Sequence, residues 1–251
     1  MVPITLNRQN IFQWVLFGLL EVWRVLRSLV KRSGTREEEV TREVERDAIR
    51  NDPGSVLRVM DEFALSRRFL MNVGEEKGAL LRRTLKNSRA SRVLEMGAYC
   101  GYSAVLMGEE LQKWGGELVS LEIDGEKAAL ARRVVDHAGL TDLVSIHVGS
   151  AAKGIGALEG QFDLVFIDHW KDDYLPDLKR LEERGLLSPG AIIVADNVGI
   201  FSNTLQDYLS YVRKSGRYKS DYYPLPMEYN HSIEDGVEVS VWQAGGQRVA
   251  A

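Results

Sequence analysis

The chain has 251 residues, which is enough to bury a full hydrophobic core, and an α/β sheet of this length normally forms one domain. The formal net charge is -4, so there is no surplus of cations to neutralise phosphates, which argues against nucleic acid as a partner. The only cysteine is Cys100, which excludes an intrachain disulfide.

An apolar segment near the N-terminus, residues 11–30, differs from the rest of the chain. It is more interrupted by polar residues than a clean membrane span of about 20 apolar residues. Trp14 and Trp23 suit the level of lipid headgroups, and cations follow on the C-terminal side at Arg24, Arg27, Lys31 and Arg32. We expect a membrane-anchor helix and link in residues 1–34, with membrane contact through residues 11–30.

If the segment spans a membrane, those cations predict that the rest of the chain stays in the cytoplasm. If it lies in the interface, its narrow polar stripe faces water. The alternative is an amphipathic helix that packs on its own domain, in a soluble cytoplasmic protein. Residues 35–251 are expected to form a single catalytic domain.

Elements alternate along the rest of the chain. Thr35 to Glu38 reads as a capping box that opens a charged helix, and helical patterns follow over 55–70 and 75–85. Short apolar strands then alternate with helices, which predicts a mostly parallel sheet with helices on both faces. The last two strands alternate without a long helix between them, which predicts an antiparallel edge. The seven predicted strands are 92–96, 118–123, 143–148, 162–167, 191–195, 218–223 and 237–243.

The first predicted strand runs into a glycine turn, Glu95 to Ser103. A dinucleotide fingerprint needs G-x-G-x-x-G to seat a pyrophosphate, but position 99 is Tyr. The spacing E-x-G-x-x-x-G suits a ligand without phosphate, whose ammonium Glu95 could bind. A tight structural turn without a ligand is the alternative.

The second strand ends near Glu122, where a carboxylate can hold both hydroxyls of a ribose. A solvated Glu is the alternative, but the glycine turn before it favours the ribose interpretation. Adenosine with an ammonium-bearing tail and no phosphate describes S-adenosylmethionine.

Acidic residues also follow the fourth and fifth strands, at Asp168 and at Asp196-Asn197. If the two strands are neighbours, about 4.8 Å apart, their carboxylates converge. Two carboxylates and an amide oxygen suit Mg²⁺, although an Asp at one strand end is usually only a helix cap. Lys171, beside such a cation, would have a lowered pKa and could act as a base. His169 is a weaker base candidate, and we expect it to pack or to form a hydrogen bond. Trp170 either lines the cofactor site or belongs to the core.

From about 53 to 243 the chain resembles the catechol O-methyltransferase family. The resemblance rests on residues 71–74, 97–104, 168–172, 174–177 and 195–198, of which the stretch from 168 to 177 is the most specific. It implies a Rossmann-like methyltransferase fold, S-adenosylmethionine and Mg²⁺ as cofactors, and a catechol as the small-molecule substrate. The N-terminal apolar segment also resembles the membrane-bound form of that family.

The resemblance further implies a role for particular residues. Lys171 would be the catalytic base and Glu228 would bind the second catechol hydroxyl. Mg²⁺ would be held by Asp168, Asp196 and Asn197. Substrate contacts would come from Asp168, Lys171, Asn197, Glu228, Phe69, Met71, Trp170 and Phe201. Cofactor contacts would come from Val73, Glu95, Gly97, Tyr99, Ser103, Glu122, Ile123, Ser150, Asp168, His169 and Trp170.

The chain departs from the family pattern at four positions. Phe69 stands where the family has a tryptophan beside the catechol ring, and Phe201 stands where it has a proline. Ala151 and Ala152 replace a Ser and a Gln that usually meet the adenine. These departures concern substrate preference and cofactor affinity rather than the chemistry.

The predicted reaction is therefore methyl transfer from S-adenosylmethionine to one hydroxyl of a catechol, with Mg²⁺ binding both oxygens and Lys171 taking the proton. Two rival functions stay open. One is an O-methyltransferase for other vicinal-diol phenolics, and the other is a non-catalytic membrane-associated scaffold that keeps the fold. A scaffold has no need for the metal and base residues.

Overall fold

The computed structural model describes residues 34–243 and, in addition, Gly18. Within residues 34–91, three helices precede the sheet: α1 (Arg36–Asp47), α2 (Pro53–Ser66) and α3 (Gly74–Ser88). The predicted capping box at the start of α1 is confirmed, because the Thr35 side chain accepts from the Glu38 amide and the Glu38 carboxylate accepts from the Thr35 amide. Asp52 caps α2 by accepting from the Ser55 amide, and Pro53 lies in the first turn, where its missing N–H costs nothing.

Seven strands form one sheet in the described part of the chain: β1 (Arg92–Met96), β2 (Glu117–Glu122), β3 (Val144–Val148), β4 (Phe162–Ile167), β5 (Leu187–Ala195), β6 (Tyr218–Met227) and β7 (Asn230–Trp242). Their order in the sheet is β3-β2-β1-β4-β5-β7-β6. Neighbours from β3 to β5 pair in parallel, whereas β7 pairs antiparallel with both β5 and β6. This confirms the predicted mostly parallel sheet with an antiparallel edge.

Helices cover both faces of this sheet, as predicted. One apolar core joins α1, α2 and α3 to α4 (Tyr102–Leu111) and α5 (Gly125–His137). The core on the opposite face takes its residues from α6 (Ala151–Ala157), α7 (Tyr174–Glu183) and α8 (Gln206–Lys214). β1 and β4 lie between them and are almost wholly buried, which explains their uninterrupted apolar sequences.

The antiparallel edge is longer than the alternation indicated. β6 continues to Met227 through Pro224 and Pro226, which an edge strand tolerates because one of its sides forms no ladder. A two-residue turn at Glu228 and Tyr229 leads into β7. β7 then returns beside β5, so residues from the end of the chain lie next to the end of β5.

The strand order reverses between β1 and β4, because the chain builds outward to β3 and then returns to β4 and β5. In open α/β sheets, ligands bind at the carboxyl ends of the strands beside such a reversal. The glycine turn follows Met96, the last residue of β1, and Asp168 follows Ile167, the last residue of β4. Met96 and Ile167 are paired in the sheet. The two candidate motifs therefore meet at the expected binding crevice.

The predicted membrane contact through residues 11–30 lies outside the described residues, apart from Gly18. A helix long and apolar enough to cross a membrane does not occur within the part of the chain that the structure describes.

Candidate active site

The glycine turn after β1 brings two strand ends into close contact. Gly97 has a φ of +100°, and a Cβ added there would lie 2.6 Å from the carbonyl oxygen of Asp168. Gly101 has a φ of +85° and is the N-cap of α4, and a Cβ added there would lie 3.2 Å from the backbone of Ala131. Side chains would be strained and crowded at both positions, so both glycines are required by the turn itself.

Glu95 lies under this turn and is fully buried. Ser120 donates a hydrogen bond to its Oε2, whereas Oε1 has no hydrogen-bond partner among the described residues. Burial raises the pKa of Glu95 to about 7, although the nearby hydroxyls of Ser103 and Ser120 act in the opposite direction. A buried carboxyl with a free oxygen suits a cationic ligand group, which agrees with the predicted role of Glu95 but does not test it.

Glu122 ends β2 and fastens the glycine turn. Its Oε2 accepts from the Tyr99 amide at 2.9 Å and its Oε1 accepts from the Asp124 amide at 3.0 Å. The Tyr99 hydroxyl donates in turn to Glu37 on α1 at 2.8 Å. The predicted ribose contact of Glu122 stays a prediction, and these backbone bonds give the residue a structural role as well.

Other predicted cofactor residues surround the same crevice. Ile123 and Trp170 are 73% and 63% exposed, so the interpretation of Trp170 as a core residue is wrong. His169 Nε2 lies 2.9 Å from Asp177 Oδ2 and the ring stacks on Tyr174, which confirms the expectation that it packs or hydrogen-bonds. Ser150 caps α6, and Val73, which precedes α3, is buried.

The acidic ends of β4 and β5 converge, as predicted. Ile167 and Ala195 are paired across the two strands, so Asp168 and Asp196, the next residues, leave the same edge of the sheet. Lys171 Nζ lies 3.1 Å from Asp168 Oδ1 and 2.8 Å from Asn197 Oδ1. Side chains from the two strand ends thus bind one positively charged group.

This arrangement fits a hard divalent cation. The ammonium of Lys171 already occupies a position between a carboxylate oxygen and an amide oxygen, which are ligand types that Mg²⁺ takes. Within residues 34–243, no three His, Cys, Asp or Glu side chains are grouped to hold a metal. The predicted set of Asp168, Asp196 and Asn197 has two carboxylates and one amide, and its metal role stays a prediction.

Burial controls the charge of these carboxyls. It raises the pKa of Asp168 to about 7, against the opposing effect of the Lys171 ammonium. The pKa of Asp196 is also raised by burial, against the opposing effect of Lys77. A bound cation favours the ionised form of both groups, so cation binding and proton loss are linked at this site.

The predicted substrate residues lie beside these strand ends. Phe69 and Phe201 belong to one apolar cluster, and Lys171 Nζ lies 5.6 Å from the centre of the Phe201 ring. Met71 is 47% exposed. Glu228, in the turn between β6 and β7, accepts a hydrogen bond from Lys77 Nζ at 2.9 Å.

Three residues of this site were not anticipated from the sequence. Lys77 on α3 is 1% exposed, Asp235 on β7 is 2% exposed, and Tyr174 at the start of α7 is fully buried. Lys77 looks like an ordinary surface lysine of a charged helix, and Asp235 stands in a polar run. Only Tyr174 had a signal, because it follows Lys171 by three residues within the specific stretch 168–177.

A profile of the O-methyltransferase family matches residues 53–217, from the start of α2 to the end of the loop before β6. The chain belongs to the O-methyltransferase family. This confirms the predicted resemblance, and it supports the coarser prediction of an S-adenosylmethionine-dependent O-methyltransferase. The match includes the glycine turn and both acidic strand ends.

Named relatives of the enzyme agree with this assignment. It is 42% identical over 218 residues to catechol O-methyltransferase of Mus musculus, covering 85% of this chain and 81% of the relative. It is 35% identical to transmembrane O-methyltransferase of Propithecus coquereli, covering 88% and 82%. An O-methyltransferase from Bacillus cereus, solved with S-adenosylhomocysteine, has the same fold, with a TM-score of 0.64 at 21% identity, covering 84% of this chain and 92% of that chain.

Proposed function

We propose that this enzyme transfers the methyl group of S-adenosylmethionine to one hydroxyl of a catechol, in a Mg²⁺-dependent reaction that releases S-adenosylhomocysteine. The observation that carries the proposal is that Asp168 and Asn197, from the ends of β4 and β5, both bind the ammonium of Lys171. Vicinal oxygens are bidentate ligands for a hard cation, and the mouse relative is named for a catechol.

Lys171 is the proposed base. Its Nζ lies within hydrogen-bond distance of Asp168, Asn197 and the hydroxyl of Tyr174, so the amine is held in one orientation before any substrate arrives. A Mg²⁺ ion held by Asp168, Asp196 and Asn197 would stabilise a deprotonated substrate oxygen and disfavour the protonated form of Lys171. Lys171 Nζ would then accept the proton of the reacting hydroxyl.

Glu228 is the proposed partner of the second hydroxyl. It lies close to the metal residues, since its Oε2 and Asp196 Oδ1 are each 2.9 Å from the same Lys77 nitrogen. Burial raises its pKa, against the opposing effect of Lys77. The aromatic rings of Phe69, Phe201 and Trp170 would line the flat ring of the substrate and keep water from the reacting atoms. The enzyme would act mainly by aligning the reactants.

The deciding experiment is methyl transfer from labelled S-adenosylmethionine to catechol, compared with its isomer resorcinol, whose hydroxyls are not adjacent. We expect product from catechol with Mg²⁺, none after chelation, and none from resorcinol. Equal transfer to both isomers, or transfer that survives the chelator, would contradict the proposal. A panel of catechols and hydroxycinnamoyl esters then separates this function from that of an O-methyltransferase for other vicinal diols.

We also propose that residues 11–30 contact a membrane and that residues 35–251 form the catalytic domain on its cytoplasmic side. The support is the apolar sequence, its flanking tryptophans and cations, and the name of the 35% identical transmembrane relative. Sedimentation with phospholipid vesicles tests the contact. Leu16→Glu and Leu20→Glu together should abolish binding, and vesicle binding that is unchanged in this variant would contradict it.

A further inference from the structure

A buried lysine on α3 connects the two halves of the proposed catalytic site. Lys77 Nζ lies 2.9 Å from Asp196 Oδ1, 2.9 Å from Glu228 Oε2 and 2.6 Å from Asp235 Oδ2. Asp196 follows β5, Glu228 lies in the turn that follows β6, and Asp235 is on β7. The ammonium therefore joins a proposed metal ligand, a proposed substrate ligand and a third carboxylate that has no predicted role.

We propose that Lys77 is a positioning residue, which together with Asp235 orients Asp196 and Asn197 for the metal and fixes Glu228 beside them. The inference rests on the proposed function. It concerns neither the base nor the metal ligands themselves, but the contacts that hold those ligands in place.

The atoms that Lys77 contacts support this role. Asp196 Oδ1 forms an ion pair with Lys77 Nζ at 2.9 Å and accepts a hydrogen bond from the backbone N–H of Asn197 at 2.6 Å. Both contacts use the same oxygen, so they fix the carboxylate in one rotamer and leave Oδ2 for another partner. Contacts of this kind around metal ligands typically change metal affinity or activity by about 10- to 100-fold when they are removed.

Asp235 is the second part of the support. Its Oδ2 accepts from Lys77 Nζ and from Asn197 Nδ2, and its Oδ1 accepts from the amides of Gly199 and Ile200 at 3.1 Å and 3.0 Å. Because Asn197 Nδ2 is bound in this way, Asn197 Oδ1 points to the opposite side, where it meets Lys171. Asp235 thus determines which end of the Asn197 amide faces the proposed metal position.

The charges of the cluster are consistent with the same arrangement. Asp168, Asp196, Glu228 and Asp235 are four carboxyls, and Lys77 and Lys171 are two amines, so these six side chains carry an excess of two negative charges when all are ionised. A divalent cation balances that excess. Removing Lys77 alone would upset this balance, so a test of orientation needs a charge-matched variant.

Lys77→Met/Glu228→Gln is that variant, because it removes one positive and one negative charge. Glu228→Gln is its reference, since it keeps Lys77 on Asp196 and Asp235. Calorimetric titration with MgCl₂ should show Mg²⁺ affinity within about threefold of the unmodified enzyme for Glu228→Gln, and at least about tenfold weaker for the double variant. Titration with S-adenosylmethionine, whose predicted contacts include neither Lys77 nor Glu228, should give unchanged affinity in both and so report that the fold is intact.

Equal Mg²⁺ affinity in the double variant and in Glu228→Gln would overturn the role of Lys77. If the double variant fails to bind S-adenosylmethionine, Asp235→Asn is the second test, because it disturbs the same support from β7 and should weaken Mg²⁺ binding by a similar factor. Unmodified enzyme that binds no Mg²⁺ would instead refute the proposed function. The two failures are therefore distinguishable.

Discussion

The ammonium nitrogen of Lys171 lies 2.6 Å from the hydroxyl oxygen of Tyr174, and that hydroxyl donates to the backbone carbonyl of Asp196 at 3.1 Å. A residue at the start of α7 thus connects the proposed base, which follows β4, to the backbone at the end of β5. The orientation of Lys171 depends on this buried phenol as well as on Asp168 and Asn197.

Replacing Lys171 with Ala should nearly abolish turnover while leaving S-adenosylmethionine affinity unchanged. General base catalysis typically contributes about 10²- to 10⁴-fold, and we expect a loss of kcat in that range. Initial rates with catechol and calorimetric titration with the cofactor provide the two measurements. Lys214→Ala, at an exposed position of α8, is the control and should keep full activity. Full activity in Lys171→Ala would refute the base role.

Tyr174→Phe should lower kcat by roughly 10-fold, because a hydrogen bond to a charged group is worth about 1.5–3 kcal/mol and here it orients the base. The matched control is Tyr208→Phe. Tyr208 is equally buried, but its hydroxyl has no hydrogen-bond partner in the described part of the chain, so its loss should leave kcat unchanged. Equal kcat in the two variants would mean that Tyr174 supports the fold alone.

The metal-free enzyme should lose stability as the pH rises from about 5 to 8. The folded-state pKa of Glu95 is about 7, above its ordinary value of 4.5, so its contribution to stability is complete below 4.5 and is lost as the pH rises through 7. A shift of this size corresponds to about 3 kcal/mol. Urea unfolding at several pH values should show a weaker pH dependence in Glu95→Gln, whereas the exposed control Glu183→Gln should behave like the unmodified enzyme.

Mg²⁺ affinity should rise with pH over the same interval. The pKa of Asp168 is about 7, mainly because of burial, and only the carboxylate form binds the cation. We expect Mg²⁺ to bind more tightly at pH 8 than at pH 6. Binding at pH 6 should release protons, so the binding enthalpy observed by calorimetry should vary with the ionisation enthalpy of the buffer. Affinity that does not depend on pH would show that Asp168 is not a ligand.

Gly97→Ala should disrupt the crevice more than a conformational penalty alone can explain. The new Cβ would lie 2.6 Å from the Asp168 carbonyl oxygen, so β1 and β4 must separate where the cofactor is expected. Gly185→Ala is the control, because Gly185 also has a positive φ, +65°, but no atom within 4 Å of its ideal Cβ. The Gly185→Ala substitution should lower the free energy of unfolding by about 1–2 kcal/mol. Thermal unfolding and cofactor titration should show a clearly larger loss for Gly97→Ala.

Much of this site could be predicted from the sequence, because the patterns that indicate it each extend over only a few neighbouring residues. A buried parallel strand reads as an apolar run, and both β1 and β4 have the predicted bounds of 92–96 and 162–167. The residues that follow such strands lie at one edge of the sheet by geometry alone. The glycine turn, Asp168, Lys171 and the Asp196-Asn197 pair could therefore be predicted as one constellation.

Boundaries set by tertiary packing were less predictable. The second helix was expected to reach residue 70 but ends at Ser66, after which Phe69 and Leu70 become buried in a segment without regular secondary structure. The sixth strand was expected to end at 223, but pairing with β7 carries it to Met227. Some apolar residues in these segments are spaced in a way that fits both a helix and a strand. The elements against which they pack therefore decide where each helix or strand ends.

The sequence alone determined the order of the strands and helices, the turn that needs glycine, and the chemical types at the strand ends, because each depends on neighbours within a few residues. Only the tertiary structure decided that Lys77 is buried and binds Asp235, which lies 158 positions further along the chain. A lone ammonium is costly to bury, and only the fold could bring three carboxylates around it to offset that cost.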